Sequence, residues 1–237
     1  MALTNYITQV QRLLHDSTGD LYAPQDVIAY INQARTRICA EGACIRSIVT
    51  LSTQASTQTY NLSSISVAGI TGASYVLLIR KAAVTPATAP TRLDGRPWDW
   101  FFNYCICSPS SGTPTTWAQL TQGQAGQFYL WPTPTTVQTL TLDAVIIAID
   151  LIDDSTVEAI PYPWTEAVQY YASYLAYMNA QRNSDADRMY QLYTQRMQFA
   201  RDVSTPSALP RNFPLSSQVS GVPSSTPAPF PGGQNGA

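Results

Sequence analysis

Apolar positions recur at two different periods along this chain, and the change of period divides it. Near the start, Tyr6, Val10, Leu13 and Leu14 fall on one side of a helix predicted over residues 4–15, with Thr4 as its N-cap. Ser17-Thr18-Gly19-Asp20 interrupts that run. A second helix is predicted over residues 24–42: Pro24 suits the first helical position, Asp26 puts a carboxylate in the first turn, and Gly42 ends it. Val27, Ile31, Ala34 and Ile38 form its apolar face. From Arg46 to about Ile152 the period shortens to two, which predicts strands near residues 48–53, 57–62, 75–84, 114–120, 127–131 and 139–149. Pro97 opens a short helical turn crowded with aromatic residues.

The helical period returns after Ile160-Pro161-Tyr162-Pro163-Trp164. Ala167, Val168, Tyr171, Tyr174, Leu175 and Met178 mark a helix over residues 164–182, and Met189, Leu192, Tyr193, Met197 and Ala200 mark another over 185–201. Short connections within each helical pair favour antiparallel neighbours, and the apolar stripes are too broad for two helices alone. The predicted fold class is therefore α+β: a four-helix bundle formed by both chain ends, with an inserted antiparallel β-rich domain and an extended Pro-rich C-terminal tail. The divisions expected are residues 1–45 and 161–202 for the two helical pairs, 46–160 for the insertion and 203–237 for the tail.

Composition narrows the class of protein. Charged residues make up 12% of the chain, about half the usual share of roughly 25%. With 45% apolar residues, 14 tyrosines and 5 tryptophans, this suits surfaces covered by other protein, whose buried centres lack charge and favour Tyr, Trp and Met. A β-rich secreted protein of low charge is the alternative. The net charge of −2 and the single lysine, Lys81, argue against a surface built to grip nucleic acid. No secretory signal and no membrane-length apolar run is visible, so a cytosolic chain is expected. Cys39, Cys44, Cys105 and Cys107 then read as reduced thiols, and with His15 as the only histidine no metal site or cofactor is predicted.

Catalytic constellations are thin. His15 stands beside Asp16, but no Gly-x-Ser-x-Gly occurs, and a helix-end surface histidine is the favoured reading. Asp143, Asp150, Asp153 and Asp154 could be imagined as glycosidase carboxylates or cation ligands. They lack the order of a calcium loop, and a solvated acidic edge that discourages strand addition explains them better. Trp98, Trp100, Phe101, Phe102 and Tyr104 could stack sugars or bases, or could pack the sheet against the helices. No enzymatic activity is predicted.

Four stretches carry a family likeness: Leu3-Thr4-Asn5-Tyr6-Ile7; Leu21-Tyr22-Ala23-Pro24 with the helix over 26–34; Phe128-Tyr129-Leu130-Trp131-Pro132-Thr133-Pro134; and Ile160-Pro161-Tyr162-Pro163-Trp164 leading into the helix that follows. In this order they resemble the tailed-phage head-to-tail adaptors, the head-completion or connector proteins of short-tailed phages. The likeness spans most of residues 3–200 and leaves out the tail and the loop at 83–90. It implies a structural virion protein made in the host cytoplasm: a dodecameric ring under the portal protein that extends the DNA channel and presents a platform for a tail nozzle or tail-tube protein. DNA would pass the lumen without specific binding, and no membrane is involved. Some related adaptors are credited with cell-wall hydrolysis, against which the missing acid–histidine framework argues. The alternative is a carbohydrate-binding tail or receptor-recognition module, favoured by the Trp-rich strands.

Such a ring suggests three sets of contact residues. Arg35, Arg37, Arg182 and Arg188 are candidates to meet Asp26, Asp185, Asp187 and Glu166 of a neighbouring copy, with pairing inside a helix as the alternative. Asp143, Asp150, Asp153 and Asp154 are candidates for the channel wall. Leu209, Phe213, Leu215, Val219, Val222 and Phe230 are apolar points between prolines on a tail expected to dock on the portal or on a neighbour.

Overall fold

The computed structural model describes residues 1–67, 69–85 and 91–204. The predicted tail contacts from Leu209 to Phe230 lie outside the described residues. Both N-terminal helices form, as α1 (Leu3–Leu13) and α2 (Pro24–Gly42), with Pro24 opening the second and Ala43 closing it in the left-handed conformation. Thr4 is not the N-cap of α1. Ala2 holds that position without a side-chain bond, and the free amide is satisfied from far along the chain: Asp154 accepts from the Thr4 N–H at 2.8 Å and from its hydroxyl at 2.6 Å.

The period-two region follows as β1 (Arg46–Ser52), β2 (Thr59–Asn61), β3 (Ala73–Thr85), β4 (Thr91–Arg92) and β5 (Asp94–Gly95). After a helical turn, α3 (Trp98–Phe101), come β6 (Ser111–Gly112), β7 (Thr116–Gln119), β8 (Gln127–Trp131), β9 (Thr133–Pro134) and β10 (Thr139–Ala148). The chain ends its described part in α4 (Thr165–Asn179) and α5 (Asn183–Ser204).

One sheet has the order β1-β10-β3-β4 and is antiparallel throughout. A second has the order β2-β8-β7-β5, with β5 parallel to β7. Val49, Leu51, Leu140, Leu142 and Val84 turn inward from the first sheet and share one core with Phe128 and Leu130 of the second. Alternation stops at Val145: from there to Ala148 every β10 residue is buried, because α2 covers what would be the outer face.

The long strand β3 slips register three times against β10, leaving Arg80, Leu77 and Ser74 unpaired. Such bulges bend and twist a strand. Their freed backbone groups are met by the other sheet: the Gln119 side chain accepts from the Ile79 N–H at 2.9 Å, and the Leu77 carbonyl accepts from the Gly123 N–H at 2.8 Å. One glutamine thus stitches the two sheets together.

The helices do not make the expected four-helix bundle. α1 rests on α2 and α4, α5 lies along α4, and α2 turns part of its surface to β10, while α1 and α5 share no substantial packing. The apolar stripe of α2 that suggested a bundle is spent partly on the sheet. On α5 the buried positions are Ala186, Met189, Tyr193, Met197 and Ala200, a narrow seam that packs mainly on α4 and touches α2 through Tyr193 and Glu41. The result is an α+β fold in which a helical layer and a β structure share a continuous core.

Candidate assembly surfaces

Arg35 was expected at a seam between copies, and the structure places it in the interior. It follows Ile31 by four residues and precedes Ile38 by three, so helical geometry points it along the apolar face. Its guanidinium meets Glu158 in a two-point ion pair, Nη2 to Oε1 at 2.8 Å and Nε to Oε2 at 3.0 Å, with both side chains almost fully buried. Its remaining donor reaches the Asn32 Oδ1 at 3.2 Å and the Ile149 carbonyl at 2.7 Å. Asn32 in turn exchanges two bonds with the backbone of Leu151. This node fixes the segment after β10 onto α2, and its burial puts Arg35 out of reach of a neighbour. The Tyr6 hydroxyl lies buried with no hydrogen-bond partner among the described residues, and burial, reinforced by the Glu158 carboxylate, pushes its pKa up.

The other expected seam charges sit on the surface, several already engaged within the subunit. Arg37 pairs with Glu41 one turn along α2, and Arg182 pairs with Asp185 at 2.6 Å. Glu166 takes Arg196 at 3.0 Å, which ties α4 to α5. Asp26, Arg188 and Asp187 are exposed. A run of tyrosines, 171, 174, 190 and 193, reinforces the α4–α5 contact with ring centroids 4.8 to 5.8 Å apart. Tyr193 also donates to Glu41 at 2.6 Å, and burial, then that carboxylate, raises its pKa.

The four aspartates considered for a channel wall fall into three settings. Asp143 lies on the open face of the first sheet, bound to Arg46 at 2.8 Å. Asp154 caps α1, and its bonds to Thr4 hold its carboxyl below the usual range. Asp150 and Asp153 are exposed on the segment after β10, where Asp153 accepts from the Ser155 and Thr156 hydroxyls and amides.

The aromatic group at 98–104 packs neither against the helical layer nor as a free platform. Phe101 and Cys105 enter a small second core with Ala118, closed by Trp98, Trp100, Tyr129 and Trp131. Trp98 and Tyr129 lie 4.7 Å apart by centroid, and the Arg96 guanidinium sits 4.8 Å over Trp100. Phe102 and Tyr104 remain exposed. Cys39 and Cys44 are free thiols 4.0 Å apart. Among the described residues no cluster of three His, Cys, Asp or Glu side chains could hold a metal ion, and no helix is long and apolar enough to cross a membrane.

Reasoning from sequence missed a second charged feature. Arg80 and Lys81 are adjacent on β3 and both exposed, and Arg92 on β4 is exposed nearby. Two successive cations in a strand break the inward-outward alternation, which is the local signal of a bulge.

An ion pair and tyrosine contacts join the helices within the subunit, and exposed apolar side chains remain on its surface. Comparison with known families places the chain. The family described as SU10 adaptor protein matches residues 1–212. The chain belongs to that family, a family of phage head–tail adaptors. No curated protein matches it. The resemblance read from the sequence is therefore borne out, and the protein is a structural adaptor of the phage particle, acting between head and tail components.

Proposed function

We propose that copies of this chain form a closed ring, a dodecamer, between the portal protein and the tail, extending the DNA channel and seating a tail nozzle or tail-tube protein. The family match over residues 1–212 carries this reading. Exposed apolar side chains support it: Phe199 and Val203 near the end of α5, and Ile149 and Ile152 after β10, offer contact area that a monomer leaves in water. DNA passes without being held, consistent with a chain of net charge −2. The segment from about Ser204 onward serves as a strap, with Leu209, Phe213, Leu215, Val219, Val222 and Phe230 docking on the portal or on a neighbouring copy. The reading includes no catalytic role.

Electron microscopy of the full chain mixed with the portal protein of its phage tests this. A twelve-fold ring capping the portal is the expected result, and a chain lacking residues 204–237 should fold but join that ring poorly. Absence of ring density with the full chain, or a specific glycan-array signal in its place, overturns the reading.

A further inference from the structure

The first sheet leaves one face open where the helical layer ends. Arg46, Lys81 and Arg92 line a groove of about 590 Å³ there, together with Ile48, Ala83 and Asp143. Arg80 borders the adjoining hollow beside Gly42 and Trp164. The β3 bulge at Arg80 lets two consecutive cations reach solvent on this side. Arg46 is matched by Asp143. Arg80, Lys81 and Arg92 have no ion-pair partner among the described residues. Residues 68, 86–90 and 205–237 contain no Asp or Glu that could supply one. These exposed cations are therefore free to meet carboxylates of another molecule.

The chain itself carries a complementary patch. Asp150 and Asp153 are exposed and unpaired with any cation among the described residues, and the Asn32–Leu151 bonds hold their segment firmly on α2. Ile149 and Ile152 stand beside them, 41% and 77% exposed, and Ile48 at the basic groove is 64% exposed. Each patch thus combines an excess of one charge with exposed isoleucine, Asp143 offsetting only Arg46 at the groove.

We propose that the basic sheet face receives the acidic segment of a second copy of this chain, Arg80, Lys81 and Arg92 meeting Asp150 and Asp153 while Ile48 packs against Ile149 or Ile152. A phosphate backbone fits less well, since it would leave Ile48 uncovered. Because the two patches differ, the contact is head-to-tail, the type that closes into rings when the rotation between copies allows. The inference rests on the ring reading and specifies its seam.

Sedimentation velocity on the full chain tests it, using a face-reversed variant (Arg80→Glu, Lys81→Glu, Arg92→Glu) and a segment-reversed variant (Asp150→Lys, Asp153→Lys). Wild type should associate at low salt and less at high salt. Each variant alone should associate about 100-fold more weakly, because like charges then meet at the seam. An equimolar mixture of the two variants should form heterodimers. A neutral face variant (Arg80→Gln, Lys81→Gln, Arg92→Gln) replaces the reversed one if that fails to fold. Wild type that stays monomeric up to about 10⁻⁴ M, face variants that associate like wild type, or a mixture that stays monomeric overturns the seam. So does duplex DNA binding lost in the face variant with self-association unchanged, which would assign the surface to phosphate. A portal-capping ring that persists in the face-reversed variant refutes this seam alone and leaves the ring reading standing, whereas failure of wild type to form a ring refutes the reading itself.

Discussion

Replacing Arg35 with methionine should destabilise the folded subunit severely. Arg35 and Glu158 are 1% and 2% exposed, joined by bonds of 2.8 and 3.0 Å. Removing the guanidinium leaves Glu158 as a buried carboxylate whose remaining bond is from the Ile160 amide at 2.9 Å, and it strips partners from Asn32 and the Ile149 carbonyl. Breaking a buried pair from one side costs about 3–5 kcal/mol, a large part of the roughly 5–15 kcal/mol that holds a typical domain together. With a urea slope of about 2 kcal/mol per molar, the midpoint should fall by about 1.5–2.5 M. Removing both charges, Arg35→Met with Glu158→Leu, should recover at least about 2 kcal/mol, since an apolar pair of similar volume avoids the stranded charge. Urea titrations followed by circular dichroism and tryptophan fluorescence measure both effects. A single variant that shifts the midpoint by less than about 0.5 M at unchanged slope, or a double variant as unstable as the single one, refutes the reasoning.

Two further perturbations probe other joints. Gly42→Ala would place a Cβ 2.5 Å from the Trp164 ring, which is 4% exposed and has little room to yield. Helix propensity favours alanine by up to about 1 kcal/mol, so a net loss of about 1–2 kcal/mol is expected from overpacking, read as a lower melting midpoint; an unchanged midpoint refutes the clash. Asp154→Asn should remove an acid-dependent part of stability. The Asp154 carboxyl is held below its ordinary 3.8 by the bonds from Thr4, so its contribution is complete above that value and disappears as pH falls through the lowered one. Wild type should therefore exceed the variant at neutral pH and converge on it in strong acid, and a gap that is constant across pH refutes the linkage.

Much of the local structure was legible in the residues. The spacing of Val27, Ile31, Ala34 and Ile38, with Pro24 before and Gly42 after, sets α2 to its observed ends, and the same logic locates α1, α4 and α5 closely. Alternation locates β1 and β8 and the first half of β10, and a short β-branched apolar run locates β3. The stretch from Phe128 to Pro134 and the Pro-punctuated entry to α4 carried the family likeness, because adaptors share order and spacing more than any reactive group. Arg35 carries a charge that suits a seam between copies, but its position on the Ile31–Ile38 stripe already places it inward.

The sequence by itself determined which segments are helix or strand, because periodicity and caps act over a few residues, and it pointed to the adaptor family. It could not say what each apolar stripe would meet. A stripe on α2 fits a helix or a sheet equally well, and only the fold spends it on α4 and β10 together, which removes the four-helix bundle. Nor could it say which charges are free. Glu158 lies 123 residues from Arg35 and Asp154 lies 150 from Thr4, and such pairings exist only once the chain is packed. The bulge that leaves Arg80 and Lys81 both exposed is likewise a property of the β3–β10 register, set by long-range pairing. Short-range spacing decides the elements; their mutual burial decides which side chains are left to meet another molecule.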